Sequence, residues 1–190
     1  MAASNSNPRS NPLPPEQIVC LSAPALRARM EEEINRAGRH GIPLSFLLVV
    51  IDNLEELSRD HGSELPEQTL AYLSQALPRQ LRRFDRIGMP SEGELLVVLP
   101  GADGPRSEIV ARRVLDRMRT IKVEAEGTRQ PLRISVGLAT WQENLGGEDM
   151  LARTRAAAQR GTGEDAREGT ALGEPLQMGS PPALGRPGPS

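Results

Sequence analysis

Two groups of side chains in this sequence are spaced to do chemistry, and both lie in the stretch Arg82 to Pro100, RRFDRIGMPSEGELLVVLP, or are joined by it to a neighbouring element. The first is Arg82 with Asp85, three residues apart. A guanidinium presents paired N–H donors to a phosphate or a planar polar edge, and a carboxylate accepts N–H groups. At an ordinary helix end the same pair is only a surface contact worth 0 to ~1 kcal/mol. The second group is the carboxylates Glu92 and Glu94, carried at a turn, with Asp52 closing an apolar run upstream. Cys20 is the sole cysteine, which excludes an internal disulfide and a cysteine metal cluster. His40 and His61 each precede a glycine and have no metal-ligand spacing, so both read as incidental.

The elements that must position these groups follow from the apolar pattern. Glu94 to Leu99 is too short for a typical helix, is rich in Leu and Val, and stops at Pro100-Gly101, which predicts a strand buried on both faces. Asp85 to Met89 is its hairpin partner, turning through Pro90-Ser91-Glu92-Gly93. Leu44 to Ile51 is the most apolar segment and suits a central strand. Helices are predicted from Pro24 to about Gly38, with Leu26, Met30, Ile34 and Ala37 inward, and from Pro66, with Leu70, Leu73, Ala76 and Leu77 inward. A short helical turn rests on Leu54 and Leu57. Pro78 costs a helix interior about 3 kcal/mol and should kink or restart the second helix. A further helix spans Ser107 to Ile121, with Ile109, Val110, Val114, Leu115, Met118 and Ile121 inward. Strands over Lys122 to Glu126 and Pro131 to Thr140 flank a turn at Gly127-Thr128-Arg129, and a weakly apolar helix covers Glu148 to Arg160.

Composition bounds the rest. The chain has 190 residues, 37% hydrophobic content and a formal charge of -2, which predicts one domain and no global basic field for nucleic acid. No apolar run reaches the ~18 residues of a spanning helix, so membrane insertion is not expected. The N-terminus lacks a signal-peptide pattern, and a cytoplasmic location is the expectation. Residues 1–17 and 162–190 lack periodicity and are expected to be disordered arms around a domain at 18–161. The predicted order α-β-α-β-β-α-β-β-α defines an α+β class with helices flanking a mostly antiparallel sheet.

The blocks Arg39-His40-Gly41-Ile42-Pro43-Leu44, Leu48 to Asp52, Arg82 to Asp85, Ser91 to Leu95 and Ile134 to Thr140, in this order and separation, resemble the GGDEF domain of bacterial diguanylate cyclases. The resemblance covers essentially the whole folded region and implies a nucleotidyl-cyclase-like fold with a ferredoxin-like core. It implies that the family's first metal-binding acid falls on Val50, its second on Asp52, and its five-residue signature on Ser91, Glu92, Gly93, Glu94 and Leu95. The family's phosphate lysine falls on Glu55, its guanine-reading residues on Ser58 and Glu67, and a C-terminal lysine near Thr162. Arg82 and Asp85 match the family's inhibitory site for cyclic di-GMP, to which Arg113, or else Arg112, would add a helix arginine. These departures lead to the expectation of a catalytically inactive signalling module, not an enzyme, with no catalytic residues, metal or cofactor. It would bind cyclic di-GMP at Arg82, Asp85 and Arg113 or dock another signalling protein. The alternative is a residual diguanylate cyclase or GTP-binding regulator using Asp52 and Glu94.

Overall fold

The computed structural model describes residues 18–121, 123–130 and 132–160, and the backbone of 170–173. The strand β2 (Leu44–Ile51) lies at its centre, antiparallel to β4 (Glu94–Pro100) on one side and to β7 (Ile134–Thr140) on the other. β3 (Arg86–Gly88) is the antiparallel hairpin partner of β4, and β1 (Cys20–Leu21) adds to it in parallel. β8 (Thr170–Gly173) adds in parallel to β7, completing the order β1-β3-β4-β2-β7-β8. The inner four strands, with the helices between them, have the βαββαβ connectivity of a ferredoxin-like core. A separate small hairpin joins β5 (Val123–Ala125) and β6 (Thr128–Gln130).

Successive strand side chains point to opposite faces, so a strand covered twice must be apolar throughout. Phe46 and Leu48 of β2 pack with Leu96 and Val98 under α1 (Ala23–His40) and α5 (Gly147–Arg160). Leu47, Val49 and Ile51 face α2 (Leu54–His61), α3 (Glu64–Ala76) and α4 (Gly104–Arg119). This arrangement accounts for the unbroken apolar run. Pro24 opens α1 and Gly41, at φ 61°, ends it in the left-handed conformation that glycine adopts freely. Pro78 falls in a 3-10 turn, Leu77–Gln80, so the second helix stops and tightens where its interior hydrogen bond would be lost.

Four local expectations are corrected. Helix α4 begins at Gly104, three residues before Ser107, because Asp103 caps it by accepting from the Arg106 N–H at 3.0 Å. Ile109 is exposed, since the inner stripe follows Ser107, Val110, Ala111, Val114, Leu115 and Met118, one helical position out of phase with it. The turn before β6 is tighter than expected: it is made by Glu126 and Gly127, both at positive φ, so residues 128–130 pair as strand. The segment expected to be a C-terminal arm contributes β8, and the two-residue β1 was too short to leave a pattern. The remainder of the expected arms lies outside the described residues.

Gly137 marks the tightest packing between sheet and helix. A Cβ built there would stand 2.0 Å from the Thr154 carbonyl oxygen and 2.5 Å from the Ala158 nitrogen of α5. Backbone cannot yield to such a contact without α5 moving. Gly137→Ala is therefore expected to lower stability by at least ~2 kcal/mol, measured as a reduced urea midpoint at unchanged m-value.

Candidate functional site

The hairpin tip and the end of β2 meet on the sheet face that α5 covers. Val50 pairs laterally with Glu94 of β4 and Ser135 of β7, so these three positions form a row across the sheet. The peptide of Ile51 closes the hairpin end by donating to the Gly93 carbonyl at 2.9 Å. Gly93 sits at φ 76°, and a Cβ there would meet Leu54 Cδ2 at 3.4 Å, so this turn is shaped for glycine. Ser91 and Glu92 are exposed beside it, and Leu95 is fully buried.

The carboxylates at this end of the sheet, Asp52 and Glu94, already have partners. Asp52 Oδ2 accepts from the Ser135 hydroxyl at 2.7 Å, and the Asp52 N–H donates to the Arg133 carbonyl at 2.9 Å. Burial raises the Asp52 carboxyl above its ordinary range, against the opposing Ser135 hydrogen bond and the charge of Arg133. Glu94 is gripped by Arg155 of α5: Nε donates to Oε1 at 2.7 Å and Nη2 to Oε2 at 2.6 Å. The Ser91 hydroxyl donates to Oε2 at 2.6 Å. Burial alone would raise the Glu94 carboxyl; the Arg155 and Ser91 hydrogen bonds and the Arg155 charge outweigh it, holding the group below the usual glutamate range.

Beside this row opens a pocket of about 560 Å³ between the hairpin tip, the end of β2 and helices α2 and α3. Its lining is acidic: Asp52, Glu55, Glu56, Glu67, Glu92 and Glu94 face Arg59. Polyanions enter such a lining against an unfavourable potential unless cations accompany them. Val50 stands in the row between Glu94 and Ser135, where the resemblance asks for a metal-binding acid. Among the described residues no three metal-ligating side chains converge, and with Glu94 held by Arg155 the arrangement does not fit a divalent cation. Arg155 was not legible as a site residue in the sequence, where it sits beside an alanine run in a weakly apolar helix.

The second cluster lies near the other end of β3. Asp85 is 2% exposed; its Oδ2 accepts from the Arg82 backbone N–H at 2.7 Å and its own N–H donates to the Arg82 carbonyl at 2.9 Å. The expected Arg82–Asp85 surface pair is thus a closed turn in which the carboxylate meets Arg82 through its main chain. Arg113 of α4 reaches this place, its Nη2 donating to the Gln80 carbonyl. Burial raises the Asp85 carboxyl; the Arg82 N–H and the charges of Arg82, Arg113 and Arg86 oppose that rise. Arg113 therefore joins the turn, and it also lines, with Arg112, Gln80, Arg117 and Thr120, an open hollow of about 540 Å³.

A mostly antiparallel sheet with helices on both faces, an acid-bearing hairpin beside its central strand and a closed Arg/Asp turn defines a nucleotidyl-cyclase-like domain. The chain belongs to the GGDEF family: the model of the diguanylate cyclase GGDEF domain matches residues 24–163. It is 29% identical over 110 residues to the diguanylate cyclase DosC of Escherichia coli K12, covering 57% of this chain and 24% of that protein. The chain thus spans about a quarter of the length of this curated relative. Its fold is similar to that of the diguanylate cyclase SiaD of Pseudomonas aeruginosa, solved in complex with its activator SiaC, at TM-score 0.70 and 23% identity over 78% of this chain and 55% of that one. It is also similar to the GGDEF domain of DgcB from Caulobacter crescentus, solved in complex with c-di-GMP, at TM-score 0.71 and 13% identity over 80% and 90% of the two chains.

These findings correct the expectation that the chain is not an enzyme. The family is that of diguanylate cyclases, and DosC of Escherichia coli is among the relatives matched in sequence. The residues Val50, Glu92 and Gly93 belong to the lining of the pocket, and the scaffold still sets Asp52 and Glu94 there. Among the described residues no helix is long and apolar enough to cross a membrane.

The Arg155–Glu94 contact has a pH signature. Because the folded-state pKa of Glu94 is depressed, its contribution is complete above the unfolded value of about 4.3 and is lost as pH falls through the folded value. Arg155→Ala should cost about 1–2 kcal/mol at pH 7 and flatten this acid limb, read from urea unfolding across a pH series.

Proposed function

We propose that this GGDEF domain binds cyclic di-GMP at Arg82, Asp85 and Arg113. The observation that carries the reading is the arrival of Arg113 from α4 at the Gln80 carbonyl, which sets a helix arginine beside the turn closed by Asp85. Guanidinium groups present paired donors to phosphate oxygens or to the acceptor edge of guanine, and a carboxylate accepts guanine N–H groups. Basic residues from two elements around one carboxylate offer both interactions within a small space. One oxygen of Asp85 serves the Arg82 N–H, so binding would use the remaining acceptor capacity of the carboxylate.

Isothermal titration with cyclic di-GMP tests this reading. Saturable binding is expected in the wild type, weakened about 10- to 100-fold by Arg82→Ala or Arg113→Ala, the loss of charge-assisted hydrogen bonds. No binding in the wild type, or equal binding in both variants, removes the proposal. Asp85→Asn is expected to lose the ligand while keeping its fold, because the amide oxygen still accepts from Arg82. Burial raises the Asp85 carboxyl, so Asp85 stabilises the fold fully only below its unfolded pKa, and that contribution is lost as pH rises through the folded value. Thermal unfolding of Asp85→Asn should therefore lie at or above the wild-type temperature at pH 7.

The family assignment favours a second reading, that the acidic pocket takes GTP beside Asp52 and Glu94. Chromatography of products after incubation with GTP and magnesium or manganese addresses it. Cyclic di-GMP formed by the wild type and lost in Asp52→Asn supports this reading; absence of both product and GTP binding removes it.

A further inference from the structure

Glu94 of β4 and Arg155 of α5 lie 61 residues apart in the chain and meet at the hairpin tip. Oε1 of Glu94 takes the Arg155 Nε donor at 2.7 Å, and Oε2 takes both Nη2 at 2.6 Å and the Ser91 hydroxyl at 2.6 Å. A carboxylate offers about four acceptor positions, so most of the capacity of Glu94 is spent. Arg155 Nη2 also reaches the Ser91 hydroxyl oxygen at 3.4 Å, which ties a second residue of the tip to α5. The Glu94 side chain is 13% exposed and that of Arg155 37%, so the pair sits at the rim of the sheet with the guanidinium on its solvent side.

The place of this contact in the sheet gives it a consequence beyond stability. Val50 lies opposite Glu94 on one side and Ser135 on the other, and Ser135 is bonded to Asp52, so Asp52 and Glu94 flank an uncharged valine. Both carboxylates line the acidic pocket. Hard divalent cations such as Mg²⁺ bind through one or two carboxylates and keep several waters, so two free carboxylates suffice for a weak site. Asp52 retains acceptor capacity beyond its bond from Ser135. Glu94 does not, because the guanidinium covers both of its oxygens and adds a positive charge that repels a second cation. That charge is permanent, since a guanidinium does not deprotonate in proteins; only competition or a movement of α5 can lift it. We infer that Arg155 is an autoinhibitory lock on the hairpin tip, a resident cation that keeps divalent metal from Glu94 and Asp52. The lock accounts for the misfit between this site and a divalent cation through a residue on α5, in addition to the valine at position 50.

Titration of the full chain with millimolar Mn²⁺, followed by the loss of the free-ion electron paramagnetic resonance signal, tests the lock. No nucleotide is present, so the outcome is separate from both the cyclic di-GMP and the GTP readings. Arg155→Ala is expected to bind Mn²⁺ at least about tenfold more tightly than the wild type, the scale of releasing one charge-assisted contact that occupies the ligand. Arg155→Met, which keeps the apolar stem and removes the charge, should show the same gain and serves as the independent variant should Arg155→Ala fold poorly by circular dichroism. Adding Glu94→Gln to either variant should return the affinity to the wild-type value, because the freed carboxylate is then gone. Arg59 lines the same pocket from α2, so Arg59→Ala removes a positive charge while leaving the grip on Glu94 in place; its gain should be smaller than that of either Arg155 variant. Equal Mn²⁺ affinity in the wild type and both Arg155 variants, a gain that survives Glu94→Gln, or an equal gain in Arg59→Ala would each overturn the assignment.

Discussion

The burial of β2 on both faces is the constraint from which the rest follows. Of the eight residues from Leu44 to Ile51, the six from Ser45 to Val50 pair on both sides, and the strand is covered by helices above and below. A strand so placed has no freedom of register, because a slip of one residue would exchange the side chains facing α1 and α5 for those facing α2, α3 and α4. Fixing β2 fixes its neighbours. Val50 must then lie opposite Glu94 and Ser135, and Asp52 must leave the sheet beside Ser135. The acidic row is therefore a product of core packing, although most of its chemistry is polar.

Electrostatics within the domain are handled by pairing at short range. Glu94 is compensated by Arg155 from α5, Glu56 by Arg133 from the approach to β7, and Asp85 by a main-chain donor within a ring of arginines. Glu33 departs from this pattern, being buried with its arginine held at a distance. The acidic pocket departs from it in another way, since its carboxylates outnumber the basic groups that line it. Nearly neutral overall charge thus conceals strongly uneven local fields.

The central strands were legible in the sequence because a doubly covered strand writes an uninterrupted apolar run, and Leu44 to Ile51 and Leu95 to Leu99 are such runs. The same holds for the stop at Pro78 and the left-handed end at Gly41, whose residue types have few alternatives. Arg82 and Asp85 could be found by spacing, yet spacing did not say that the carboxylate would be buried and bonded to a main-chain N–H. Arg155 could not be found at all, because its partner is 61 residues away and depends on how α5 is rotated against the sheet. Ile109 illustrates the same limit: one step of helical phase separates a core position from an exposed one. The inference of no enzyme failed for a different reason. Reading substitutions at Val50 and 91–93 one by one measures departures from a pattern, whereas the family model matches residues 24–163 together as a GGDEF domain of the diguanylate cyclase family.

The missing side chain at Gly137 has a reach beyond packing. It lets the carbonyl of Thr154 settle directly on β7, and Thr154 is the residue immediately before Arg155. The guanidinium that neutralises the hairpin tip is consequently mounted on a part of α5 whose backbone lies directly against the sheet. A methyl group's width on the middle of one strand thus sets how far a charge can travel at the sheet's end.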